Sequence, residues 1–155
     1  MLDNLDKISE SIRSALDAKN GAREASISRS RTLTRHCANA IRAMHRQEWD
    51  NAQEQLETAH GVLLEMREGT AAYPDLYYAG YTQDSFKEYV EGRLTYAMLR
   101  NEPLPSPHEL NIDDATYLNG MCEAASELRR YVLDILRREH ASEVERLLRL
   151  LSKTA

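Results

Sequence analysis

Much that would mark a familiar function class is scarce in this sequence. Among its 155 residues are two cysteines, four prolines, six glycines, one tryptophan and one phenylalanine. Cys37 and Cys122 have no metal-ligand spacing and fall within helical patterns. They read as small core residues of a reducing compartment, with nothing to argue for a disulfide. No stretch approaches the roughly 20 apolar residues that a membrane span needs. The start, Met1-Leu2-Asp3-Asn4-Leu5-Asp6-Lys7, has no continuous apolar run, so it is not expected to be a signal peptide. The expectation is a cytoplasmic protein that does not engage a membrane. A basic excess is missing too: 20 basic against 25 acidic residues give a net charge of −5. Bulk charge therefore does not announce a nucleic-acid binder, although local charge can.

What is present is helical periodicity from end to end. Leu2, Leu5, Ile8, Ile12, Ala15 and Leu16 recur at three and four, and the pattern resumes after Gly21 with Ile27, Thr34, Cys37, Ile41 and Met44 as a seam. One long helix over residues 2–46, tolerating Gly21 at about 1 kcal/mol, fits better than two, because no proline interrupts it. Trp49, Ala52, Leu56, Ala59, Leu63 and Met66 mark a second helix closed by Gly69-Thr70. A tyrosine-rich junction over 72–81 holds a short helix from Pro74. The next helix, capped by Thr82 or Asp84, runs to about Asn101 with Phe86, Val90, Leu94, Ala97 and Met98 inward. After the connector Glu102-Pro103-Leu104-Pro105, Ser106-Pro107-His108-Glu109 carries the signature of a capping box. Residues 114–138 form the last long helix, with Leu118, Met121, Ala125, Leu128, Val132 and Ile135 as its main seam, and 142–152 a short final one. There is no repeat or linker. The reading is a single all-α domain over 1–155, an antiparallel bundle of about six helices with a long N-terminal helix.

Four carboxylates stand out. On a helix, residues three apart lie roughly 60° apart around the axis, and those four apart roughly 40°. Glu88 and Glu91 can therefore share a face, as can Glu123 and Glu127. The first pair borders its helix's apolar stripe; the second shares a face with Gly120 and Ala124, small enough for a neighbouring helix to come close. Should the faces meet, four anions converge and need a cation, and oxygen-only ligands suit Mg²⁺ or Mn²⁺. Glutamates at these spacings are equally at home on a solvated helix face. The second half of the first helix is basic, with Arg23, Arg29, Arg31, Arg35, Arg42 and Arg46 interleaved with serines and threonines. It can track a phosphate backbone, or pair with the acidic helices around it. Glu57 and His60 form an isolated Glu-x-x-His, which reads as a surface feature because a di-iron bundle needs two such motifs.

The wording around these positions is more specific. Arg23-Glu24-Ala25-Ser26-Ile27-Ser28-Arg29, continuing to Ile41-Arg42-Ala43-Met44-His45-Arg46, resembles the first long helix of the translin superfamily. Lys87-Glu88-Tyr89-Val90-Glu91 resembles the helix that carries the first acidic pair of the Trax-like branch. Tyr117-Leu118-Asn119-Gly120-Met121 with Ser126-Glu127-Leu128-Arg129-Arg130 resembles the family's other recurring segment. The resemblance implies an all-helical fold that oligomerises into a shell and binds single-stranded RNA or DNA. Trax-like members are Mg²⁺-dependent endoribonucleases. By position it assigns catalytic, metal-binding roles to Glu88, Glu91, Glu123 and Glu127, with Arg31, Arg35 and Lys87 as candidate phosphate contacts. The chain departs from the pattern where it has Glu123 for the usual aspartate, and it is expected to lack the family's final helix.

Three other readings remain open at this point. One is a non-catalytic single-stranded RNA- or DNA-binding module. Another is an all-α nucleoside triphosphate pyrophosphatase, which Glu123-x-x-x-Glu127 fits poorly. The third is a structural helical subunit.

Overall fold

The computed structural model of the chain describes residues 3–137 and 141–154. Leu2 and the expected helix end at 138 lie outside them. The described residues form seven helices and no strand, two of the helices being single turns. α1 (Asp3–His45) is one unbroken helix of 43 residues. Gly21 sits inside it with a helical backbone and open space around it, so its cost is only that of a flexible residue in a helix.

The two halves of α1 behave differently. Leu5, Ile8, Ile12 and Leu16 are between 47% and 61% exposed, on an arm that projects from the rest of the chain. Beyond it, Ser26, Ser30, Leu33, Cys37, Ala40 and Met44 are buried at alternating steps of four and three. α2 (Trp49–Thr70) buries Ala52, Leu56, Ala59, Leu63, Met66 and Thr70 at the same steps. Two such seams pack as an antiparallel hairpin with coiled-coil-like geometry. The turn between them uses Gln47 in the left-handed region, at φ 60°. The seam expected through Ile27, Thr34 and Ile41 is displaced by one residue: Thr34 is exposed, and the two isoleucines are only half-buried.

α3 (Pro74–Tyr77) leads into α4 (Gly80–Arg100), which starts earlier than Thr82 or Asp84 would set it. Thr82 is buried instead, donating to the Leu76 carbonyl oxygen at 2.8 Å. α4 is the centre of the molecule. It buries Phe86, Tyr89, Val90, Leu94, Thr95 and Met98, and packs against α1 and α2 as well as the later helices. It ends at Asn101, left-handed at φ 57°. α5 (Pro107–Leu110) has the complete Ser106–Glu109 capping box.

α6 (Asp114–Leu136) lies along α4 but turns a different face to it than its largest apolar residues suggest. Thr116, Gly120, Ala124, Leu128, Tyr131, Val132 and Ile135 are buried, whereas Leu118 is 55% exposed and Met121 and Ala125 are half-buried. Cys122, expected in the core, is exposed on the same outer side, while Cys37 is buried. Close approach explains the choice: a Cβ at Gly120 would lie 2.7 Å from the Val90 side chain and 2.8 Å from the Lys87 carbonyl oxygen. Small residues let the two backbones come together, and dispersion along a tight contact outweighs the burial of Leu118. α7 (Ala141–Thr154) buries Val144 and Leu147, and its Arg146 donates to the Met98 and Leu99 carbonyl oxygens at the end of α4.

Candidate metal centre

The close approach at Gly120 sets Glu123 of α6 opposite Glu88 and Glu91 of α4. One carboxylate oxygen from each of the three lies within 4.8 Å of the other two, and all three side chains are half-buried. This is the group of three or more potential metal ligands found among the described residues. The Lys87 ammonium is woven into it, 2.6 Å from Glu123 Oε1 and 3.4 Å from Glu88 Oε1. The Glu123 hydrogen bond chiefly, and then the charges of Glu123 and Glu88, raise the Lys87 pKa against the opposing effect of burial.

Glu91 carries the strain of the cluster. Burial first, then the charges of Glu88, Glu123 and Glu127, push its carboxyl from the usual 4.5 up to about 7. A divalent cation held by the three carboxylates would relieve that repulsion, and an all-oxygen set of this kind suits Mg²⁺ or Mn²⁺. The side chains present therefore fit the cation that the sequence reading calls for.

Glu127 shares the neighbourhood without joining the group of three. It is only 8% exposed, and its carboxylate accepts a hydrogen bond from His45 Nε2 at the end of α1. Arg130 approaches its other oxygen at 3.5 Å. The His45 hydrogen bond is the main reason the Glu127 pKa is lowered, against its burial. The other ring nitrogen of His45 faces Asp134 Oδ2 at 3.2 Å, and the ring packs edge-on against Tyr131. A cleft of about 520 Å³ opens here, lined by Arg42, His45, Glu88, Glu91, Glu127 and Arg130 among others.

The other expected positions are more scattered. Arg31 and Arg35 are exposed on α1, on the stripe that continues to Arg42. Lys87 is engaged by the two glutamates. Glu57 accepts a hydrogen bond from Gln53, and His60 Nδ1 meets the Tyr89 hydroxyl at 3.1 Å, so this pair is not drawn into the centre. His45, Arg130 and Asp134 also line the cleft, and no motif in the sequence marks them for it. The steps of three and four from Glu127 to Arg130 and Asp134 put those three on one face, but nothing local links them to His45, 82 residues away.

No protein-family profile matches the chain. An uncharacterised protein of Methanocaldococcus jannaschii is 30% identical over 130 residues, which is 83% of this chain and 57% of that protein. The chain thus spans little more than half the length of that relative. Among solved structures, C3PO of Archaeoglobus bound to duplex RNA is 28% identical with a TM-score of 0.85, over 94% of this chain and 74% of that one. A second structure of the same protein superposes at 0.83, with 28% identity over 94% and 75%. Apo-C3PO of Neurospora, 22% identical over 99% and 92%, shares the fold with a TM-score of 0.71.

Proposed function

We propose that this chain, which belongs to the translin superfamily, is a metal-dependent endoribonuclease acting on single-stranded RNA. The observation that carries the reading is the convergence of Glu88, Glu91 and Glu123 from two helices within 4.8 Å. The likeness to C3PO, whose Archaeoglobus form was solved with duplex RNA, supports RNA as the ligand class. Glu88, Glu91 and Glu123 would hold Mg²⁺, with Mn²⁺ as the alternative. Such an ion supplies Lewis-acid polarisation of a phosphodiester and a nucleophile at neutral pH.

The chain's own residues have separable tasks around that centre. Glu91, with its raised pKa, gives up its proton when the site fills. Lys87 fixes the Glu123 carboxylate by a 2.6 Å hydrogen bond, so that the longer side chain at this position has one direction to point. His45 and Arg130 keep Glu127 ionised and aimed into the cleft, as a carboxylate outside the group of three.

One observation favours a second reading, a non-catalytic RNA-binding module. The Lys87 ammonium already neutralises part of the cluster. Labelled single-stranded and duplex RNA, incubated with and without Mg²⁺ or Mn²⁺, separates the two. Metal-dependent cleavage that disappears in the Glu88→Gln/Glu123→Gln double variant supports the nuclease. Retarded but intact RNA with both proteins supports the module.

The working form would be a homo-oligomer. Its support is the α1 arm, where the exposed Leu5, Ile8, Ile12 and Leu16 share a face while Asp6, Lys7, Glu10, Arg13 and Asp17 occupy the opposite one. No described helix is long and apolar enough to cross a membrane.

A further inference from the structure

The cleft beside the carboxylates is also lined by cations, and they are not equally engaged. Arg46 is clasped by Glu48 through hydrogen bonds of 2.7 and 2.8 Å. His45 stands between Glu127 and Asp134. Arg42 and Arg130 differ from both. The Arg42 guanidinium donates to the neutral Asn39 side chain. Arg130 meets Glu127 through one nitrogen at 3.5 Å, and its side chain is 72% exposed. Each guanidinium has five N–H donors, so both keep most of theirs for a ligand. They come from different helices, α1 and α6, and α4, which packs against both, brings Glu88 and Glu91 into the same cleft.

We propose that Arg42 and Arg130 together grip one phosphate of an RNA backbone, beside the carboxylate centre. The inference rests on the nucleic-acid reading above and deepens it by naming the contact. A phosphodiester bears one negative charge and two free oxygens, a shape that a guanidinium fork matches in bidentate fashion. Two forks from separate helices fix the phosphate's position as well as its charge. The cleft is then divided: carboxylates hold the cation on one side, and arginines hold the substrate anion on the other. Lys87 is spent on Glu123 and Glu88. Arg35 and Arg31 lie about 10 and 16 Å further along α1 by helical rise and do not line this cleft. They would meet phosphates farther along the strand.

Salt dependence of RNA affinity counts neutralised phosphates, at about 0.7 in the slope of log K against log salt for each one on a single strand. The probe is a labelled single-stranded RNA, bound in EDTA and followed by fluorescence anisotropy across a salt series, with circular dichroism to verify folding. Arg42→Ala and Arg130→Ala should each weaken binding severalfold with little change in slope, because the partner still neutralises the phosphate. The double variant should lose about 0.7 of slope and at least tenfold in affinity. Arg42→Lys in the Arg130→Ala background should keep the slope that Arg42→Ala loses there, since the charge remains, while cleavage in Mg²⁺ is depressed in kcat for want of the fork.

A slope unchanged in the double variant overturns the grip and makes both arginines solvated surface. A loss of about 0.7 in each single variant and twice that in the double also overturns it, since that means two separate phosphates. Should the wild type bind with the expected slopes yet never cleave, the grip stands and the nuclease reading falls. Should it cleave through Glu88 and Glu123 with slopes untouched by the arginine variants, the reverse holds. No binding of RNA by the wild type removes both.

Discussion

Glu91 is where the folding of this chain and its proposed chemistry pull against each other. Its carboxyl is raised to about 7 in the folded protein by burial and by three neighbouring carboxylates. Between about pH 4.5 and 7 the unfolded chain loses this proton and the folded chain keeps it. Stability contributed at this position is therefore full below the usual carboxylate range and falls as pH rises towards 7. In EDTA, urea unfolding should show that decline, and Glu91→Gln should flatten it. Saturating Mg²⁺ should do the same for the wild type, because a bound cation favours the ionised form. Glu127 has the opposite sign: its lowered pKa gives stability above the usual range that is lost on acidification. Glu127→Gln should therefore cost stability at pH 7 and progressively less as pH falls below the usual carboxylate range, in the same titration. The identity of these carboxylates was legible in the sequence because helical spacing pairs them. Their different fates were not, since Glu127 is set apart by His45, which only the folded chain brings near.

The contact between α4 and α6 decides whether the centre exists. A Cβ at Gly120 would lie 2.7 Å from Val90 and 2.8 Å from backbone at Lys87, so α6 must retreat to accept it. Gly120→Ala should destabilise the protein by about 1–3 kcal/mol and weaken Mn²⁺ binding as Glu123 moves away from α4. Gly61→Ala in α2, where nothing lies within 4 Å, should raise stability by up to about 1 kcal/mol and leave Mn²⁺ binding unchanged. Thermal unfolding of the two variants side by side, with a Mn²⁺ titration of each, checks the pair. The same contact shows how far periodicity can be read. In α2, large apolar residues face the core and its register follows directly from Leu56, Leu63 and Met66. In α6, Leu118 and Met121 suggest one face, and the small residues Gly120 and Ala124 take the other because they admit a closer neighbour. Which of two faces wins depends on the partner helix, and a single helix's pattern does not contain the partner.

At the scale of the molecule, a packed body carries an uncovered arm. The arm's stripe was legible as amphipathic from Leu5, Ile8, Ile12 and Leu16, yet an apolar stripe reads alike whether its partner lies in the same chain or another. If that face joins copies of the chain, Ile8→Gln/Ile12→Gln should shift the mass measured by light scattering to a smaller assembly without altering the helical signal. An unchanged mass would take the arm out of the interface. The claim on which the functional account depends is narrower: that α4 and α6 together make one cation site. Titrating metal-free protein with Mn²⁺ and following the free ion by electron paramagnetic resonance tests it directly. The account predicts saturable binding at pH 7.5 that Glu88→Gln/Glu123→Gln abolishes in a protein that still folds. Saturable binding indifferent to those two substitutions, or no saturable binding by the wild type, would contradict it.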